Sequence, residues 1–221
     1  MNGLTKDQQG AWDAIMGGRN VFLTGDAGTG KSYVLERCIR QWKRDGREVL
    51  VMAPTGIAAI NVGGVTVHRG LGLMPKIYEP GYAPYRTTMA AAQTVVIDEI
   101  SMVGQNLFDV VARMFLDVAK VQRGKQIVLV GDFHQLPPVV GKRDFNAICE
   151  LYPNNPTQWA FKSPLWRALG MEPHVLHEVV RQDDADFQRA LTMARDGDME
   201  SAGYFNGHSV SARASWKDGG I

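Results

Sequence analysis

At 221 residues, 45% of them hydrophobic and 21% charged, the chain has the composition of an ordinary soluble globular protein of one generous domain, or one domain and a tail. Its formal net charge of +1 excludes a bulk basic field, so any nucleic-acid contact must come from local groups. Two cysteines, Cys38 and Cys149, exclude a dense disulfide framework, and no apolar run reaches the length of a membrane span.

Residues 4–16 read as an amphipathic helix. Thr5 caps it, Leu4, Ala11, Trp12 and Ile15 form a stripe, and Gly17-Gly18 stops it. Its start so near Met1 leaves no room for a targeting sequence. Val21, Phe22 and Leu23 suit a buried strand that runs into Gly25-Asp26-Ala27-Gly28-Thr29-Gly30-Lys31-Ser32. A helix follows, with Val34, Leu35, Cys38, Ile39 and Trp42 on one face, and it ends in Arg40, Lys43 and Arg44 before Gly46. Strand, glycine loop, then helix is the context of a phosphate-binding loop. The glycines let successive N–H groups turn toward an anion, and the new helix adds the positive end of its dipole. In such a loop Lys31 reaches the β- and γ-phosphates and the Ser32 hydroxyl ligates Mg²⁺. A chance glycine turn does not account for both flanks.

Residues 48–53 form a second buried strand, broken by Pro54-Thr55-Gly56. A short helix over 57–61, Gly63-Gly64 and the segment Val65-Thr66-Val67-His68 come next. Residues 75–88 hold three prolines, three tyrosines and Gly81 with no period, which reads as a loop or small excursion from the core. A third strand over 94–97 runs into Asp98-Glu99, and helical spacing resumes over 104–120. A fourth strand over 126–130 ends in Gly131-Asp132. Past Pro137-Pro138, short helices are expected around 145–150 and over 162–169, the latter with Ser163 as cap and Pro164 in first position. A further strand is expected at 174–178 and a helix at 183–195, stopped by Gly197. From Ser201 onward the period disappears, and loop or disorder is expected.

Alternating apolar strands and amphipathic helices predict a parallel sheet covered on both faces, with ligands at the carboxyl ends of its strands. The polar clusters at 25–32, 54–56, 98–99 and 132–135 all sit at such ends. Asp98 there can hold Mg²⁺, usually through water, and Glu99 can orient or deprotonate a water that attacks the γ-phosphate. The Gln135 amide can bridge a γ-phosphate or its water. Arg181 can place a guanidinium on transferring phosphate, although spacing alone supports a surface arginine equally. His174 and His177 suggest a metal pair, but i and i+3 in an extended segment face opposite sides and no third ligand is in view. For His68 and His134, ligand contact and structural roles are equally open.

Together these segments resemble the DNA helicase superfamily that contains the Pif and RecD-like enzymes, and specifically its Pif-like branch. LTKDQQ at 4–9 is similar to the adenine-reading motif, with Gln8 at the matching position, and GDAGTGKS at 25–32 to the phosphate loop. APTGIAA at 53–59 and TVHRGLG at 66–72 are similar to the two single-strand contact motifs, which carry Pro54, Thr55, Gly56, Thr66 and His68. VIDEISMV at 96–103 resembles the Mg²⁺ and water-activating motif, and VGDFHQLPPV at 130–139 the γ-phosphate-sensing motif. VVRQ at 179–182 resembles the motif that supplies an arginine to the nucleotide.

The resemblance covers about residues 4–200. It implies a three-layer α/β, RecA-like P-loop NTPase domain with a central parallel sheet over residues 1–200, with the excursion near 75–88 and an aperiodic tail over 201–221. It further implies ATP and Mg²⁺, single-stranded DNA as partner, and hydrolysis coupled to 5′-to-3′ translocation and unwinding. No membrane contact is implied. In a bacterial or viral setting the expected location is cytoplasmic and nucleoid-associated. Backbone amides and hydroxyls at Thr55, Gly56 and Thr66 can hold DNA phosphates without a basic composition. Such helicases bind ATP and DNA between two RecA-like domains, and this chain carries motifs of the first alone. A second motor domain or a partner chain is therefore expected, with the tail disordered or a truncated start of that domain. A nucleotide- and DNA-binding module without helicase activity of its own is the alternative, and a small-molecule kinase a weaker one.

Overall fold

Val21–Gly25 (β1), Val49–Ala53 (β2), Val65–Thr66 (β3), Thr94–Ile97 (β4), Gln126–Val130 (β5) and Glu172–Leu176 (β6) lie parallel in one sheet, in the order β3-β2-β4-β5-β1-β6. The computed structural model describes residues 3–154, 156–178, 185–195 and 197–206. The chain divides into two compact units, residues 1–178 and 179–221.

Every residue of the central strands β4 and β5 is buried, as continuous apolar runs in a parallel sheet require. Alternate side chains serve opposite faces. Val95, Ile97, Ile127 and Leu129 join Phe108 and Phe115 of the helix Gln105–Ala119 on one side. Val96, Val128 and Val130 join Leu23, Leu35 and Trp42 on the other. That second face is covered by Lys6–Met16 (α1) and Lys31–Arg44 (α2). Between β2 and β4 run the short helices Gly56–Asn61 (α3), Val67–Leu71 (α4) and Thr87–Ala91 (α5). Gln105–Ala119 (α6), Lys142–Leu151 (α7) and Pro164–Ala168 (α8) follow in order. Ser163 caps α8 with Pro164 at its start, as the pattern predicts.

The first expected strand runs two residues further, to Gly25, and the next three occur within a residue of their predicted bounds. The segment at 65–68 splits into β3 and the first turn of α4, because the Thr66 hydroxyl accepts from the Arg69 N–H and caps a helix there. The strand expected at 174–178 lies at 172–176 instead. Its register is set by β1, with Val21 opposite Glu172 and Gly25 opposite Leu176. Pro173 is tolerated because β6 is an edge strand.

The excursion is irregular as expected, but it is fastened. Asn106 pairs its side-chain amide with both backbone groups of Tyr78, at 2.8 and 2.7 Å, and Arg86 Nε donates to the Leu71 carbonyl at 2.7 Å. Tyr78 and Tyr82 stack at 4.9 Å.

In the second unit Ala185–Arg195 forms a helix (α9). Residues 200–206 are helical where loop was expected, because Asp198 caps them through its Oδ1 to the Glu200 N–H at 2.9 Å. Among the described residues no helix is long and apolar enough to cross a membrane.

Candidate nucleotide-binding site

The loop between β1 and α2 is shaped by its last glycine. Gly30 stands at the N-cap of α2 in the left-handed region, with φ of 86°. A Cβ there would lie 2.6 Å from Gln8 Nε2, so the conformation favours glycine and any side chain would displace the Gln8 amide. The buried Thr29 ties the loop to itself, its hydroxyl donating to the Asp26 carbonyl at 2.8 Å. Lys31 Nζ donates to the carbonyls of Gly25 and Asp26 at 2.8 and 2.9 Å, across the loop mouth. Ser32 is exposed in the first turn of α2, where its hydroxyl can meet a ligand.

The ends of β4 and β5 bring carboxylates to this ammonium. Burial pulls the Lys31 pKa down, while Asp132, Glu99 and Asp98 pull it back up, in that order. Burial, then the Glu99 charge, pushes the Asp98 carboxyl up to about 6; the Glu99 N–H and Lys31 oppose the rise. Glu99 has φ of 51°, and it is the one non-glycine in the left-handed region among the described residues. Such backbone strain costs on the order of 1–3 kcal/mol and gathers at functional sites. It turns the chain from β4 into the 3₁₀ turn Ile100–Met102. The end of β5 lies flush against that turn: a Cβ on Gly131 would come within 2.9 Å of the Ile100 nitrogen.

Asp132 was not among the site residues that sequence pointed to, although it opens the polar cluster at the end of β5. Only 2% exposed, it accepts from the His134 N–H through Oδ1 at 3.0 Å. Its carbonyl accepts from the Gln135 N–H at 2.9 Å, which starts the Gln135 loop as a tight turn. Gln135 itself is exposed beside this cluster. The signal for Asp132 was an acid one glycine past an apolar strand, close to the signal that singled out Asp98 directly after one.

Gln8 is 2% exposed, and both ends of its amide are engaged within the chain. Nε2 donates to the Thr29 carbonyl at 2.9 Å, and Oε1 accepts from the Thr5 N–H at 3.1 Å. On the β2–β3 side, Thr55 and Thr66 cap α3 and α4, each hydroxyl oxygen accepting a helix N–H. Their protons remain able to donate. Pro54 is half-buried and Gly56 exposed beside Thr55. Burial lowers the pKa of His68. His174 Nε2 lies 2.9 Å from Glu172 Oε1, and among the described residues no group of three His, Cys, Asp or Glu side chains is placed to hold a metal. Arg181 lies outside the described residues.

The sequence pattern of PIF1-like helicases matches residues 3–202. The chain belongs to the PIF1-like helicase family. Within that family it is 34% identical over 210 residues to the ATP-dependent DNA helicase RRM3 of Saccharomyces cerevisiae, an overlap of 89% of this chain and 28% of that protein. To the human ATP-dependent DNA helicase PIF1 it is 34% identical over 209 residues, covering 88% of this chain and 30% of that one. The crystal structure of Pif1 helicase from Bacteroides in complex with ADP-AlF3 and single-stranded DNA superposes with a TM-score of 0.77 at 29% identity, over 90% of this chain and 48% of that chain. The fold is thus the three-layer RecA-like domain, and the chain spans under a third of the two curated PIF1-like relatives.

Proposed function

We propose that this chain is the first motor domain of an ATP-dependent DNA helicase, with residues 1–200 as the ATPase. The observation that carries the reading is the convergence of Lys31, Asp98, Glu99 and Asp132 at the ends of β1, β4 and β5. That end of a parallel sheet is where phosphate ligands bind. The loop at 25–32 wraps the phosphates of ATP, and Lys31 leaves its two loop carbonyls for the β- and γ-phosphates. Glu99 orients and deprotonates the attacking water, Gln135 contacts the γ-phosphate, and Arg181 brings a guanidinium to it. Gln8 lies on the adenine side.

Mg²⁺ fits the donor set. Three carboxylates lie near one ammonium, and burial, then the Glu99 charge, pushes the Asp98 carboxyl up to about 6. Ser32 and Asp98 would hold the ion, which when bound neutralises charge on the phosphates.

Single-stranded DNA crosses the ends of β2 and β3, held through Pro54, Thr55, Gly56, Thr66 and His68. A second motor domain, in the same polypeptide or a partner chain, completes the site and converts hydrolysis into 5′-to-3′ movement. In a bacterial or viral setting, a cytoplasmic, nucleoid-associated location is where such a partner strand is met. The test is ATPase activity with and without single-stranded DNA, followed by a helicase assay on a 5′-tailed duplex. Turnover stimulated by DNA, with little unwinding by this chain alone, is the expected result. A flat, near-zero rate supports the second reading, a nucleotide- and DNA-binding module.

A further inference from the structure

We infer that Phe133 is a positioning residue that holds Gln135 in place for the γ-phosphate, an inference that rests on the reading of Gln135 given above. The loop after β5 carries Asp132 and Gln135 with Phe133 between them. The Phe133 ring is half-buried in an aromatic box. Phe161 meets it edge-on with ring centroids 4.7 Å apart, and Trp166 and Trp159 do the same at 5.6 and 6.1 Å. Phe22 of β1 closes the box, tilted at 5.7 Å. Edge-to-face pairs are directional, so they set a ring's orientation as well as its depth.

The box is itself fastened to the fold. Trp166 packs on Phe22 at 5.2 Å and on Phe108 of α6 at 5.4 Å. The Ser163 hydroxyl, cap of α8, donates to Asp109 of α6. The Gln158 carbonyl accepts from the Gln105 N–H at 3.1 Å, and Trp159 forms an antiparallel bridge with Gly104, just past the Glu99 turn. Asp132 needs none of this, because the Gly131 N–H beside it is pinned to the Leu23 carbonyl at 3.1 Å. Gln135 differs. It is exposed, and the turn it closes with the Asp132 carbonyl fixes it only relative to Asp132. The tilt of that turn is set by the Phe133 ring. Without the ring the turn still forms, but the Gln135 amide is no longer held over one place, and a small misplacement is enough to lose a contact. The loop at 25–32 is built separately, so the α- and β-phosphates keep their partners. Loss of Phe133 therefore acts on ATP and spares ADP.

The experiment titrates ATP and ADP, with Mg²⁺ present, into the unaltered chain, Phe133→Leu, Gln135→Ala and the double variant, well below their melting temperatures. Phe133→Leu is expected to weaken ATP binding about tenfold, the worth of one hydrogen bond to a charged group, and to leave ADP binding unchanged. Gln135→Ala is expected to do the same. The double variant is expected to bind ATP no more weakly than Gln135→Ala alone, because the ring acts only through that side chain. Phe115→Leu alters the same core away from the loop. It is expected to lower the melting temperature without changing the ratio of ATP to ADP affinity. Phe161→Leu removes one wall of the box from its exposed rim and is expected to shift that ratio by a smaller factor, which supplies the answer if Phe133→Leu does not fold.

Equal weakening of ATP and ADP in Phe133→Leu, or a lower melting temperature with the ratio unchanged, would overturn the inference and reduce Phe133 to a stability residue. Additive losses in the double variant would overturn it as well, since the ring would then act by another route. A loss of ATP affinity in Gln135→Ala that neither Phe133→Leu nor Phe161→Leu reproduces overturns the positioning role alone. If Gln135→Ala leaves the ratio untouched, the γ-phosphate reading of Gln135 fails, and the positioning role fails with it.

Discussion

The two halves of the sheet's carboxyl edge are built by opposite rules. At the ends of β1, β4 and β5, loops pack flush through glycines, carboxylates are buried around one lysine, and Glu99 is held in a strained turn. At the ends of β2 and β3 two short helices, α3 and α4, carry threonine caps, and α3 turns Ile57 and Ile60 outward at 77% and 78% exposure. Past the tight turn at Asp132, Val139 is 94% exposed. The first half has committed its polar groups to fixed places in a low-dielectric setting, where oriented charge acts strongly on a phosphate. The second offers backbone, hydroxyl protons and bare apolar surface, suited to a long partner held at many weak points. A strained, charge-crowded site is costly to build, and stability is often lowest where function demands it.

The largest effects separate these halves by ablation. Lys31→Ala is expected to abolish ATP binding or turnover, measured by calorimetry and phosphate release, while circular dichroism stays native. Glu99→Gln keeps the backbone turn and is expected to bind ATP but lose turnover by roughly 10²–10⁴-fold, the usual worth of a positioned base. Normal turnover in Glu99→Gln would remove Glu99 from the water-activating role. If Lys31→Ala also lost DNA binding measured without nucleotide, the division of the edge into two functional halves would be wrong.

A middle-sized effect measures the cost of the crowded half directly. The Asp98 carboxyl is pushed up to about 6 from its ordinary 3.8, so the folded domain holds this proton more tightly than the unfolded chain. The stability this contributes is fully present below the unfolded value and is lost as pH rises through the folded one. Above pH 6, therefore, the ionised Asp98 costs the fold up to about 3 kcal/mol. Asp98→Asn does not titrate. In the absence of Mg²⁺ it is expected to melt at a higher temperature than the unaltered chain at pH 8, by about 2 kcal/mol once the weaker support for Lys31 is allowed for. The advantage is expected to vanish toward pH 4. Equal melting of the two chains at pH 8 would mean that the buried carboxylates carry no such cost.

These halves were unequally legible in the sequence. Apolar runs at 95–97 and 127–130 announce central parallel strands, and a glycine loop between a strand and a helix announces a phosphate site, because few other structures tolerate those patterns. β6 was displaced by two residues because Glu172 and Pro173 look wrong for a strand, and only its pairing with β1 places them there. Residues 200–206 looked irregular because their cap, Asp198, precedes a stretch of small and polar residues with no stripe. The left-handed turn at Glu99 has no sequence signature, since no glycine marks it. Gln8 could be placed near a nucleotide by resemblance. Its hold on Thr29, however, depends on α1 folding back against a loop that comes later in the chain.

The smallest expected effects probe the other half. Thr55→Ala and Thr66→Ala each remove a side-chain cap, which costs about 1 kcal/mol of stability. Each also removes a hydroxyl proton available to a DNA phosphate. ATP affinity without DNA is expected to stay unchanged in both, whereas single-stranded DNA binding weakens a few-fold, as measured by fluorescence anisotropy of a labelled oligonucleotide. Thr55→Ser and Thr66→Ser keep the hydroxyl and are expected to retain both properties, which ties both effects to the hydroxyl. Ile57→Ser sharpens the point. Because Ile57 is exposed, the change is expected to move stability by less than about 0.5 kcal/mol. A loss of DNA affinity in Ile57→Ser at unchanged stability would make this bare surface part of the DNA track. No loss would confine the track to the backbone and hydroxyls of the two caps.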